Sequence, residues 1–241
     1  MLWFDSTIVL LIPAIALALW AQYKVKSAYA RYSQVGTRAG LTGAEAAARV
    51  LRDAGMTVAR GDRGAANDRS CAIEMVAGEM TDHYDPRTRT LRLSQDVYHG
   101  RSVAAIGIAA HEVGHAIQHA NSYAPLALRS VMYPVSSLGS TLAFPLFFIG
   151  LLFPSGVSQM LMMGGILLFA GAVAFTVVTL PVEFNASNRA IKALAHGGYL
   201  TEDELAGARR VLSAAALTYV AAAAMAVMNL LRMLLIARGR D

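Results

Sequence analysis

Four long stretches with almost no charged side chain, at residues 7–22, 131–153, 157–180 and 212–237, alternate with segments that mix polar and apolar positions. A helix crossing a bilayer needs roughly 20 consecutive apolar residues. The second and third stretches meet that length outright. The first meets it when it begins with Leu2, Trp3 and Phe4 and leaves Asp5 at the interface. No basic residue precedes it, and Lys24 and Lys26 follow it, which reads as a retained anchor and not as a cleaved signal peptide. The fourth is interrupted by Asn229 and Arg232, and its Ala-rich first half would suit an interfacial or packed helix as well as a span. The pattern predicts a mainly α integral membrane protein with three or four transmembrane helices.

The mixed segments carry their own signals. Thr42-Gly43-Ala44-Glu45 is a capping-box pattern ahead of a helix over 46–54, with Gly55 as its stop. Residues 72–77 and 88–94 read as strands joined across a turn-like stretch at 84–87. Residues 102–119 form a helix-compatible run without proline, and a further helix starts near Pro181. The expected organisation is an anchor at 1–22, a small α+β unit at 23–130 and a transmembrane hairpin at 131–180. A polar helix at 181–210 and a hydrophobic helix at 211–241, spanning or interfacial, complete it.

Charge adds an orientation. Fourteen of the 21 Lys and Arg residues fall within 23–130, whereas the link Pro154-Ser155-Gly156 carries none. By the positive-inside rule the 23–130 segment faces the cytoplasm of a multi-pass protein of the cell membrane, and residues 181–210 fall on the same side. A spanning fourth stretch would leave Arg238 and Arg240 outside, against that rule. The net charge of +5 fits contact with anionic headgroups, and no basic-aromatic pattern points to nucleic acid. Cys71 is the only cysteine, so no intramolecular disulfide forms, and it reads as an inert small residue.

The chemistry lies in His111-Glu112-Val113-Gly114-His115. Residues four apart share a helix face, so His111 and His115 can grip one metal ion, while Glu112, rotated to the side, can reach an activated water as general base. A catalytic zinc uses three protein ligands and keeps a fourth position for water. A third histidine at position 121, with glycine at 118, would mark one class of metallopeptidase; Asn121 and Gln118 exclude it. His119 lies a turn too far along the axis and suits a structural or ligand-orienting role. Glu183, within a turn of the third stretch, is the better third ligand, though alone it would read as a helix N-terminal acid. Asp82, His83 and Asp85 hint at a second metal, but turn chemistry explains the aspartates more simply.

His111-Glu112-Val113-Gly114-His115-Ala116-Ile117-Gln118-His119, Thr81 to Arg87, Leu91-Arg92-Leu93-Ser94 and Pro181-Val182-Glu183-Phe184 together resemble the YugP-type neutral zinc metallopeptidases of bacterial membranes, through most of the chain. The chain is more distantly similar to the HtpX and CAAX-prenyl-protease group. The resemblance implies one Zn2+ per chain held by His111, His115 and Glu183, with Glu112 as base, and makes the α+β unit at 23–130 zincin-like. It implies hydrolysis of peptide bonds by a zinc-activated water, in membrane or membrane-proximal protein substrates. The distant group has an aspartate four residues after its glutamate ligand; Ser187 stands there, with Asn185 and Asn188 as the other polar neighbours. The competing reading is a non-catalytic metal-binding scaffold or regulator in the bilayer, against which Glu112 argues. His196, Tyr199, Tyr219 and Arg189 are candidate donors to an oxyanion.

Overall fold

The structure, a computed structural model, describes residues 6–59, 69–153 and 156–239. Asp5, Arg240 and most of the 154–156 link thus lie outside the described residues. A short 3-10 turn, Ser6–Leu11, leads into α1 (Ile12–Tyr32). There follow α2 (Gly43–Asp53), β1 (Thr57–Ala59), β2 (Ser70–Val76), β3 (His83–Asp85), β4 (Thr90–Ser94) and α3 (Gln95–Tyr98). Four long helices complete the chain: α4 (Val103–Ala120), α5 (Ala124–Leu152), α6 (Gly156–His196) and α7 (Glu202–Arg238). The described residues divide into two compact units. One takes in the described parts of Met1–Gln22, Ala127–Pro181 and Leu217–Asp241; the other takes in Tyr23–Leu126 and Val182–Ala216.

The first unit is apolar. Four helices, Thr7–Tyr32, Ala124–Leu152, Gly156–His196 and Glu202–Arg238, are long and apolar enough to cross a membrane, so the fourth stretch belongs with the other three. Within this unit Phe147, Met162, Ile166 and Phe169 form the core. Backbones approach closely there: a Cβ on Gly165 would lie 2.7 Å from the Ala143 carbonyl oxygen, the kind of contact that packs helices where no hydrophobic drive exists between them. Val131, Val135, Met160 and Leu167 are exposed, as expected of side chains that face acyl chains instead of water.

The second unit is built around a four-stranded sheet of order β1-β2-β4-β3, with β1, β2 and β4 parallel and β3 antiparallel to β4. The β2–β4 register runs Ala72↔Thr90 to Val76↔Ser94. Its core gathers Val50 and Leu51 of α2, Leu91 and Leu93 of β4, Ile106 and Val113 of α4, and Leu194 of α6. Thr42 caps α2 as its sequence pattern predicts: Thr42 N–H donates to Glu45 Oε2 at 2.8 Å and Glu45 N–H to Thr42 Oγ1 at 3.2 Å. Gly55 takes φ +71°, the left-handed conformation that ends the helix. Ser102 caps α4, its hydroxyl accepting from Ala105 N–H at 3.2 Å.

Three local expectations shift. Tyr84 and Asp85 belong to strand β3, and the turn falls at 86–89, where Pro86 cannot extend the ladder and Arg89 adopts φ +52°. The strand expected from 88 begins at Thr90. Pro181 does not open a helix but lies inside α6, because the apolar helix before it continues past the missing N–H.

Candidate metal centre

Helix α4 presents His111 and His115 one turn apart, and α6 presents Glu183 opposite them. His111 Nε2 lies 3.2 Å and His115 Nε2 3.6 Å from Glu183 Oε2. The ligand atoms of all three residues lie within 4.8 Å of one another. His115 and Glu183 are buried and His111 partly so. The two helices come this close because Gly114 has no side chain: a Cβ there would sit 2.4 Å from the Ala186 carbonyl oxygen. The glycine inside the motif is therefore a packing requirement, placed between the two histidines and facing the turn of α6 after Glu183.

Hydrogen bonds aim the rings. His111 Nδ1 lies 3.1 Å from Ser187 Oγ, and His115 Nδ1 lies 3.0 Å from Gln118 Oε1. Both Nε2 atoms thereby turn to Glu183. Ser187 is thus in contact with the ligand set; Asn185, also named from sequence, touches Gln118. Gln118 supplies the contact to His115 from a spacing of three, which puts it on the same helix face, a role the sequence reading does not assign to it. Burial opposes a charge on His115, but its hydrogen bond to Glu183 and the Glu112 carboxylate outweigh that and raise its pKa. The pocket favours positive charge at His115 Nε2. Two imidazole nitrogens and one carboxylate oxygen around a point that attracts positive charge suit a zinc ion.

The neighbouring polar residues are otherwise engaged. His119 Nδ1 meets the Tyr84 hydroxyl at 2.8 Å, away from the ligand atoms. Asp82 accepts from Ser94 N–H at 2.8 Å; burial raises its pKa, these bonds to Ser94 lower it, and the charge of Glu112 raises it further, with a net rise. Asp85 accepts from Arg92 at 2.6 Å and from Arg87 N–H at 2.9 Å, and His83 Nδ1 contacts the Thr81 carbonyl at 2.8 Å. Turn and strand contacts thus account for this cluster. Among the suggested oxyanion donors, Tyr199 donates to Asp53 at 2.5 Å and Arg189 to Asn185 at 2.7 Å, while His196 is exposed. Tyr219 falls in the apolar unit. Cys71 is fully buried and its thiol is pushed up to about 12, as an inert core residue requires.

Known proteins resemble this chain over nearly its whole length. A family model described as "Putative neutral zinc metallopeptidase" matches residues 7–238. The chain belongs to this neutral zinc metallopeptidase family. Within the family it is 46% identical over 235 residues to a protein of Bacillus subtilis (strain 168) named "Putative membrane protease YugP", covering 97% of this chain and 98% of that one. No solved structure matches the chain. Membership of this metallopeptidase family and the four apolar helices together describe a membrane-associated zinc metallopeptidase chain.

Proposed function

We propose that this metallopeptidase binds one zinc ion through His111, His115 and Glu183 and hydrolyses peptide bonds with Glu112 as general base. The observation that carries the reading is the convergence of three ligand atoms within 4.8 Å of one another, from two helices far apart in sequence. When bound, zinc supplies a Lewis acid that acidifies water and polarises a carbonyl. Glu112, next to His111 on α4 and only 8% exposed, accepts the proton of the attacking water and passes it to the leaving amine. Glu183, buried beside the two histidines, would offset only part of a bound ion's charge and leave the site net positive, as a developing oxyanion requires. An extended substrate pairs with β3, which stands at the edge of the sheet while Tyr84 on it holds His119 of α4.

The proposed substrates are membrane or membrane-proximal proteins, and the site faces the cytoplasm. Its support is the concentration of Lys and Arg within 23–130. Zinc content of the full chain in mild detergent tests the ligand set: about one per chain in wild type, with clear loss in Glu183→Ala. Glu112→Gln should keep its zinc and lose hydrolysis of a fluorogenic unfolded protein. Undiminished hydrolysis in Glu112→Gln would sink the assignment of the base. Zinc binding with no turnover by wild type or any variant would favour a metal-dependent scaffold.

A further inference from the structure

We infer that Gln118 and Asn185, anchored by Arg189, are positioning residues that hold His115 in the one tautomer able to ligate zinc through Nε2. The inference rests on reading His111, His115 and Glu183 as the zinc site. Both ends of this relay are groups that cannot exchange roles. Arg189 Nε can only donate, so the Asn185 atom 2.7 Å away is its carbonyl oxygen Oδ1. The Val182 carbonyl can only accept, so the Gln118 atom 2.8 Å from it is the amide nitrogen Nε2. That same nitrogen donates to Asn185 Oδ1 at 3.0 Å.

Gln118 has then one orientation. Its Oε1 faces His115 Nδ1 at 3.0 Å, so Nδ1 carries the proton and donates it. Nε2 is left as the position that takes up a cation. It lies 3.6 Å from Glu183 Oε2, where a lone pair and a carboxylate oxygen are best reconciled by positive charge between them. Gln118 is fully buried, and water does not compete for these bonds. The Arg189 guanidinium also lies over the Tyr123 ring, 6.0 Å from its centroid, which steadies the far end of the relay.

His111 is held differently. The Ser187 hydroxyl beside its Nδ1 can donate or accept, so either tautomer is accommodated. Its Nε2 stands 3.2 Å from Glu183 Oε2, within reach of a hydrogen bond when no metal intervenes. One histidine is a fixed ligand and the other adapts as the ion enters. Partners that fix ligand histidines usually alter metal affinity about 10- to 100-fold when removed.

The test is the zinc dissociation constant of the full chain in detergent, by competition with a chromophoric chelator, for wild type, Gln118→Leu, Asn185→Leu and Asn185→Asp. Gln118→Leu and Asn185→Leu should each weaken zinc binding by about 10- to 100-fold. Asn185→Asp keeps the acceptor oxygen for both Gln118 and Arg189 and should stay close to wild type, whereas Asn185→Leu, of similar size but without that oxygen, should not, a contrast that a packing role would not give. Cobalt-substituted protein should show a changed visible spectrum in the two leucine variants only. Wild-type affinity and an unchanged cobalt spectrum in both leucine variants would overturn the relay while leaving the zinc site intact. If wild type itself binds no zinc, the reading of the site fails first and the relay with it. Should Gln118→Leu not fold, the half-buried Asn185 pair decides alone.

Discussion

Gly114 decides how near the two ligand-bearing helices can come. Replacing it with Ala would raise intrinsic helix propensity by about 1 kcal/mol. Against that, the new methyl would lie 2.4 Å from the Ala186 carbonyl oxygen and 3.0 Å from two more backbone atoms, none of which can swing aside as a flexible side chain would. Overpacking of this kind costs about 1–3 kcal/mol, so the clash wins. Gly114→Ala should lower the thermal midpoint and weaken zinc binding together, because separating α4 from α6 lengthens both His–Glu183 distances. Undiminished zinc affinity in a folded Gly114→Ala protein would show that the close approach is dispensable. The residues nearest the chemistry were legible because their spacing expresses what they do, with two histidines a helical turn apart and a glutamate between them. Gln118 and Gly114 were not legible as site residues, since each answers to an atom of α6, 64 and 72 positions away respectively, that no local pattern announces.

At the scale of elements, capping was readable and short strands were not. Thr42 and Glu45 exchange both bonds of a capping box, and Thr201 and Glu204 repeat the arrangement at the start of α7, with Thr201 N–H donating to Glu204 Oε2 at 2.8 Å. Thr42→Ala should destabilise the polar unit by about 1 kcal/mol, seen as a fall of a few degrees in its thermal midpoint. An unchanged midpoint would mean that solvent replaces the cap fully. The β3–β4 hairpin escaped notice because three residues are too few for a period to register. It is held by a charge: burial pushes the Asp85 carboxyl up, but the Arg92 guanidinium and the N–H and hydroxyl donors of the turn outweigh it and bring it to about 2. A carboxylate with a depressed folded pKa stabilises above its unfolded value near 4, and the contribution is lost as pH falls towards 2. Asp85→Asn should therefore be less stable than wild type by about 1 kcal/mol at neutral pH, the pair being part-exposed. The two should converge between about pH 4 and 2. A gap that persists at pH 2 would point to packing instead of charge.

For the molecule as a whole, composition already separated a bilayer part from a polar part, since runs free of charge have few other uses at this length. What composition left open was the fourth stretch, where Asn229 and Arg232 break the run. Both are accommodated by hydrogen bonds: Asn229 donates to the Met225 carbonyl at 2.9 Å, and Arg232 donates to Thr7 Oγ1 at 3.3 Å within the apolar unit. That second contact joins the start of the first apolar helix to the latter part of the last. With four crossings the start of the Thr7–Tyr32 helix and the end of the Glu202–Arg238 helix lie on the same face, so Arg232 and Thr7 meet where that topology would bring them. Four crossings also put the loop between α5 and α6 on that face and the loops on either side of that pair on the other. Because Cys71 is fully buried, the native chain should be silent to a membrane-impermeant maleimide, which permits a direct test with single introduced cysteines. Arg87→Cys, in the exposed turn of the polar unit, should label only in inside-out vesicles. Leu152→Cys, at a position 82% exposed beside the α5–α6 link, should label only in right-side-out vesicles. Labelling of both from one side would mean that α5 does not cross. Labelling of each from the side opposite to that expected would leave four crossings but turn the metal centre outward, and the proposed cytoplasmic substrates with it.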